Sequence, residues 1–205
     1  MKLLLRAILI LGIISSFVLS DLTVGAEDLD GKSKIMKVKG KVEVKFKTNY
    51  KWKRAKEGMI LTEGDEIRTS RRAYVDIMYY GYDSANKLAV YRIEEKTRIQ
   101  IGESKEGTAP GTSNFIIELA TGAVLAKISK LKKGSEFKIG TPNSIIGVRG
   151  TILLVEYDPL KGESGLCRTC LYRATDVVYY VKRGRDGAII PPDRIIAGPG
   201  VLDIT

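Results

Sequence analysis

Thr141-Pro142-Asn143-Ser144-Ile145-Ile146-Gly147-Val148-Arg149-Gly150-Thr151 sets a guanidinium among glycines in a run that otherwise reads as a buried strand. Alternate residues from Ile145 put Ile145, Gly147, Arg149, Thr151, Leu153 and Val155 on one face. Ile146, Val148, Gly150, Ile152 and Leu154 fall on the other. Two apolar faces are the pattern of a strand covered on both sides. A buried guanidinium needs its five N–H donors satisfied, because an unpaired buried charge is very costly. Gly147 and Gly150 leave room for neighbouring backbone to approach and do so. Arg149 is thus expected to fasten adjacent strands through their carbonyls, and Arg149→Lys to destabilise the fold. Bidentate capture of a carboxylate or phosphate is the competing use.

The same period of two continues outward. Val38, Gly40, Val42, Val44 and Phe46 share one face, and Lys37, Lys39, Lys41, Glu43, Lys45 and Lys47 the other, as in a half-buried strand. A turn at Thr48–Lys51 leads to a strand around Trp52, and Gly64-Asp65 makes the next break. Val75, Ile77 and Tyr79 alternate with Tyr74, Asp76, Met78 and Tyr80, before a turn at Gly81–Asn86. Leu88–Ile93 and Thr97–Ile101 add short strands, and Ser104–Ser113 has the composition of a loop. Ile117, Ala120, Val124, Ile128 and Leu131 fit helical spacing, yet the same segment fits two strands broken at Thr121-Gly122. Gly122 in mid-run favours the strands. Beyond Tyr157 come a polar loop at Pro159–Gly165, a strand at Val177–Val181 and turns at Arg183–Gly187 and Pro191-Pro192. Short strands with frequent turns predict an all-β fold without substantial helix, either stacked coils in a solenoid or roll, or a sandwich.

At the N-terminus Lys2 and Arg6 flank the start of an apolar run, Ala7 to Leu19, and Val24-Gly25-Ala26 fits a small-residue cleavage site. The run is shorter than the ~20 residues of a comfortable membrane span. Residues 1–26 are expected to be an export signal, with retention as an anchor as the alternative. The remainder divides into a β domain over 27–158 and a C-terminal β extension over 159–205 packed on it. The mature chain is expected to be periplasmic or secreted and to lack a transmembrane span. Its charge falls from +10 to about +9 once the signal is gone, which favours anionic surfaces such as envelope glycans. Nucleic acid is not an expected partner. Histidine is absent, which removes Ser-His-Asp and Cys-His catalysis and every imidazole metal site. No enzyme activity, cofactor or metal is expected.

Several pieces together resemble the FecR domain family of bacterial envelope proteins. They are Gly40-Lys41-Val42, Trp52 with Ala55, Gly64-Asp65-Glu66-Ile67-Arg68-Thr69, Ala73–Met78 and Thr97-Arg98-Ile99. Gly122-Ala123-Val124 and Thr141-Pro142 through Val148-Arg149-Gly150-Thr151 complete the set, which spans roughly Ile35 to Tyr157. The resemblance implies a non-catalytic, extracytoplasmic all-β module for protein interaction or signalling at the cell envelope. The best-known relatives relay a signal to a sigma factor through a cytoplasmic domain and a membrane helix. Only six residues precede the apolar run here, so the exported module is expected without that circuit.

Among the remaining candidates, Asp65 beside Gly64 reads as a turn carboxylate accepting backbone N–H groups, with Arg68 and Thr69 in the strand that follows. Cys167 and Cys170 have redox spacing, and in an oxidising compartment a local disulfide is expected. Ser129-Lys130-Leu131-Lys132 has the Ser-x-x-Lys spacing of penicillin-binding enzymes without convincing companion motifs. Lys39, Lys41 and Lys45 with Trp52 and Arg54 form a basic, aromatic set that could grip an anionic polysaccharide. Charged residues on a sheet's outer side also simply block edge-to-edge pairing.

Overall fold

The computed structural model describes residues 28–82, 87–161, 166–174, 178–182, 194–196 and 200–204. The expected export segment lies outside them, as do residues 83–86 of the Gly81–Asn86 turn and the turns at 183–187 and 191–192. The strands are β1 (Ser33–Lys39), β2 (Val42–Lys45), β3 (Lys53–Arg54), β4 (Ile60–Leu61), β5 (Glu66–Thr69), β6 (Tyr74–Tyr80), β7 (Lys87–Ile93) and β8 (Arg98–Glu106). They continue with β9 (Ser113–Ile128), β10 (Glu136–Thr141), β11 (Ser144–Val148), β12 (Thr151–Asp158), β13 (Leu166–Ala174), β14 (Val178–Lys182), β15 (Arg194–Ile196) and β16 (Gly200–Ile204).

Pairing joins the strands into one sheet that curls back on itself in two layers. Layer one runs β4-β1-β6-β7-β9-β12-β13-β16. Layer two runs β3-β2-β5-β8-β9-β10-β11-β14-β15, and within it β9 and β10 pair in parallel, against an antiparallel background. Strand β9 belongs to both: residues up to Thr121 pair with β8, and Gly122 onward pair with β12. The alternation read from sequence is what fills the space between the layers. Val75, Ile77, Tyr91, Val124, Leu153 and Val155 enter from layer one; Val44, Ile67, Ile99, Ile117, Ile139 and Val148 enter from layer two. Tyr79 of layer one stacks on Phe115 of layer two with centroids 3.9 Å apart, and Tyr91 tilts against Phe137 at 6.4 Å. Such pairs add about 0.5–1.5 kcal/mol each beyond their buried area. The hydroxyls of both buried tyrosines have partners. Tyr91 donates to Ser33 Oγ at 3.0 Å, and Tyr79 shares a hydrogen bond with Ser104 Oγ at 3.3 Å. Burial pushes the Tyr79 phenol up to about 12 and Tyr91 still higher.

Three stretches that read as continuous or simply broken strands are corners between the layers. The run through 37–47 is two strands, β1 in layer one and β2 in layer two, turning at Gly40 (φ +75°). A Cβ there would sit 2.8 Å from Ala73 Cβ. Likewise the run through 145–155 divides into β11 of layer two and β12 of layer one at Arg149-Gly150, where Gly150 has φ +70°. The segment 113–128 is not two short strands but one of sixteen residues, bent at Gly122 (φ +94°). Only glycine adopts such backbone without strain. A helix there would have left β8, β10 and β12 without their central neighbour.

Past 158 the chain rejoins both layers. Strand β13 pairs with β12, and β14 pairs with β11. Among the described residues no helix is long and apolar enough to cross a membrane.

Candidate functional site

Among the motif residues, Asp65, Thr69 and Thr141 make internal hydrogen bonds. Gly64 (φ +90°) makes the corner from β4 to β5, and Asp65, 3 % exposed, turns its carboxylate back on the chain. Its Oδ1 accepts from Lys47 N at 2.9 Å, and Oδ2 accepts from Thr62 N at 2.8 Å and Thr62 Oγ1 at 3.3 Å. Thr69 is buried, donates to Glu94 O at 2.5 Å and accepts from Thr97 N at 3.0 Å. Thr97 Oγ1 in turn accepts from Ala123 N at 2.9 Å, directly after the Gly122 bend. A line of two threonines therefore ties β5, the β7–β8 corner and the joint of β9. Thr141 and Ser144 close the two-residue turn at Pro142-Asn143, with Thr141 Oγ1 donating to Asn143 Oδ1 at 2.9 Å. Gly147 lies buried within β11, paired to Lys138 and Tyr179. Thr151 opens β12 and is buried.

Arg149 departs from expectation. It sits at the β11–β12 corner, half-buried, and among the described residues its guanidinium makes no hydrogen bond or ion pair. The corner belongs to Gly150, with φ +70°, and Arg149 sits half-buried beside it. The cysteines also differ. Neither is disulfide-bonded. Both lie in β13, where Cys167 pairs opposite Tyr157 and is buried while Cys170 pairs opposite Leu154. Three residues apart on a strand means opposite faces and about 10 Å of rise, beyond disulfide reach.

The lysine comb does not form one surface. Lys39 lies on the outer side of layer one, 5.5 Å from the Tyr74 ring, while Lys41 and Lys45 lie on the outer side of layer two. On that second face Trp52 precedes β3 and sits under three cations: Arg68 at 4.2 Å, Lys45 at 5.5 Å and Arg98 at 5.8 Å. Two carboxylates neutralise them. Glu43 accepts from Arg68 Nε at 2.9 Å, and Glu66 binds Lys45 and Arg98 together. Hydrogen bonding from Arg68 holds Glu43 below the ordinary carboxylate range. Burial raises Glu66, but Lys45 and Arg98 outweigh it and the net shift is downward. Arg54 is exposed at the edge strand β3, paired opposite Glu43. Arg98, Glu43 and Glu66 were not among the candidate binding residues read from sequence, although their alternation with buried Val42, Val44, Ile67 and Ile99 placed them outward.

The outer side of layer one is different in kind. Met78 lies opposite Val90, and Leu125 opposite Leu154, all outward between buried neighbours and partly exposed. A cleft of about 640 Å³ opens over Leu125 and Leu154, with Glu94, Glu156, Lys96 and Arg168 at its margin. Desolvation raises the Glu94 carboxyl above its ordinary value.

An all-β scaffold whose motif residues hold its corners, leaving two outer faces of different chemistry, is a module defined by its fold. Residues 65–165 match the family model described as FecR protein, and the chain belongs to the FecR domain family. That membership marks a signalling-related module. No curated protein and no solved structure matches the chain.

Proposed function

We propose that the chain is a non-catalytic interaction module, exported to the bacterial cell envelope, that engages a protein partner through the outer face of layer one. The supporting observation is two pairs of outward apolar side chains, Met78–Val90 and Leu125–Leu154, in separate cross-strand rows that continue into Lys127 and into Arg92 and Asp76. A strand's outer face normally alternates to polar residues, and exposed apolar patches rimmed by charge mark protein contact surfaces. A polyanion brought to the same cleft meets Glu94, Glu95, Glu156 and Asp158. The competing reading, an anionic glycan on the basic aromatic face, loses support because Glu43 and Glu66 already occupy the cations around Trp52. The two separate by salt and by face. Partner binding should persist at 0.5 M salt and be lost in Leu125→Glu, a folded variant by thermal melting. Binding to envelope polysaccharide that weakens steeply with salt and falls in Arg68→Glu would refute it.

A further inference from the structure

A separate cleft, of about 300 Å³, lies where the β9–β10 connection passes the start of β7. Its wall brings together Lys87, Lys130 and Lys132 with the hydroxyls of Ser113, Ser129 and Ser135, and among the described residues it holds no carboxylate. The cleft over Leu125 and Leu154, and another on layer two lined by Glu66, Arg98, Gln100 and Glu118, each include at least two acidic residues, so this lining is not a general property of the lysine-rich chain. Among the described residues neither Lys87 nor Lys130 has an ion-pair partner. Ser135 is 2 % exposed, and its Oγ accepts from Ser113 N at 3.1 Å. No acceptor for the Ser135 hydroxyl proton is found among the described residues, and Ser135 lines the cleft. Its neighbours are fixed: Ser113 Oγ accepts from Tyr82 N at 2.9 Å, and Ser129 Oγ donates to Lys87 O at 3.3 Å.

We propose that this cleft is a binding site for a phosphate monoester group. Lysine ammonium groups act as point charges that suit a tetrahedral oxyanion, whereas a planar carboxylate is better met by the arginine fork that the lining lacks. A hydroxyl donor inside and ammonium groups at the mouth supply several directions of hydrogen bonding, as four phosphate oxygens require. The size lies at the small end of ligand sites and admits a phosphate with a short substituent such as glycerol. The same group can arrive free in solution or as the headgroup of a lipid.

The test is calorimetric titration of the chain with inorganic phosphate and glycerol 3-phosphate, beside flotation with phosphatidylcholine vesicles containing phosphatidic acid. Saturable binding is expected for a soluble probe or for the vesicles, which tells the two sources apart. Lys87→Ala/Lys130→Ala should weaken it at least tenfold. Ser135→Ala, which also removes the acceptor of Ser113 N and so lowers the melting temperature, should weaken binding several-fold when measured well below that temperature. Lys51→Ala/Lys53→Ala removes equal charge elsewhere and should leave binding within twofold. Equal loss in both double variants would show charge attraction without a site and overturn the proposal. So would the absence of saturable binding to all three probes, or full binding in Lys87→Ala/Lys130→Ala.

Discussion

Replacing Gly122 by alanine tests whether the bend of β9 is what joins the two layers. The new Cβ would lie 2.6 Å from Thr97 Cα and 2.7 Å from Thr97 Cβ, so a rotamer change cannot relieve the clash. Three costs combine. A non-glycine residue at φ +94° carries about 1–2 kcal/mol of backbone strain. Forcing a methyl into packed surroundings adds about 1–3 kcal/mol. Displacing Thr97 weakens its hydrogen bond from Ala123 N, for about 1 kcal/mol more. The expected loss is about 4 kcal/mol, a large part of the 5–15 kcal/mol that stabilises a typical domain. Gly58 supplies the control, because it has φ +83° but nothing within 4 Å of the added Cβ. Gly58→Ala should cost only the strain, about 1–2 kcal/mol. Urea unfolding of both variants, followed by tryptophan fluorescence, measures the difference. Equal destabilisation in the two would mean that Thr97 moves freely and that the corner is not a packed joint.

Other positions yield smaller tests. Asp65→Asn leaves an amide N–H₂ facing a backbone N–H and should cost about 2–3 kcal/mol in urea unfolding, since one carboxylate now satisfies three donors. Arg149→Lys should change stability by no more than about 0.5 kcal/mol, as for other substitutions outside packed or bonded positions, and a larger loss would restore a fastening role for the guanidinium. Glu43 and Glu66 have folded-state values below the ordinary 4.5, so they stabilise fully above pH 4.5, and that contribution disappears as pH falls through their folded values. Glu66→Gln should therefore flatten the acid side of the stability curve, and an unchanged slope would count against the Trp52 charge cluster.

The inward half of every long strand was readable from period two, because burial on one face is what alternation records. The same regularity concealed the corners. Between Val38 and Val42 the alternation continues unbroken through Gly40, so Lys39 and Lys41 look like neighbours on one side. Outward in layer one and outward in layer two are opposite directions, and the comb is divided accordingly. Across Arg149-Gly150 the phase slips: Ile146 and Val148 point inward before the corner, Leu153 and Val155 after it. A single strand drawn through both assigns Arg149 to an interior it does not occupy. The layer-one surface could not be read in advance, because Leu125 and Leu154 are isolated outward residues until β9 and β12 pair. The phosphate-sized cleft is assembled in the same way, from segments whose lysines are unremarkable in so basic a chain.

The most direct measurement is site-specific photo-crosslinking in the native envelope, with a photoreactive residue at position 154 on one face or position 54 on the other. A protein adduct from position 154 that survives 0.5 M salt and disappears when Leu125→Glu is added is the predicted result. Adducts only from position 54, or an adduct from 154 indifferent to Leu125→Glu, would contradict a partner surface on layer one.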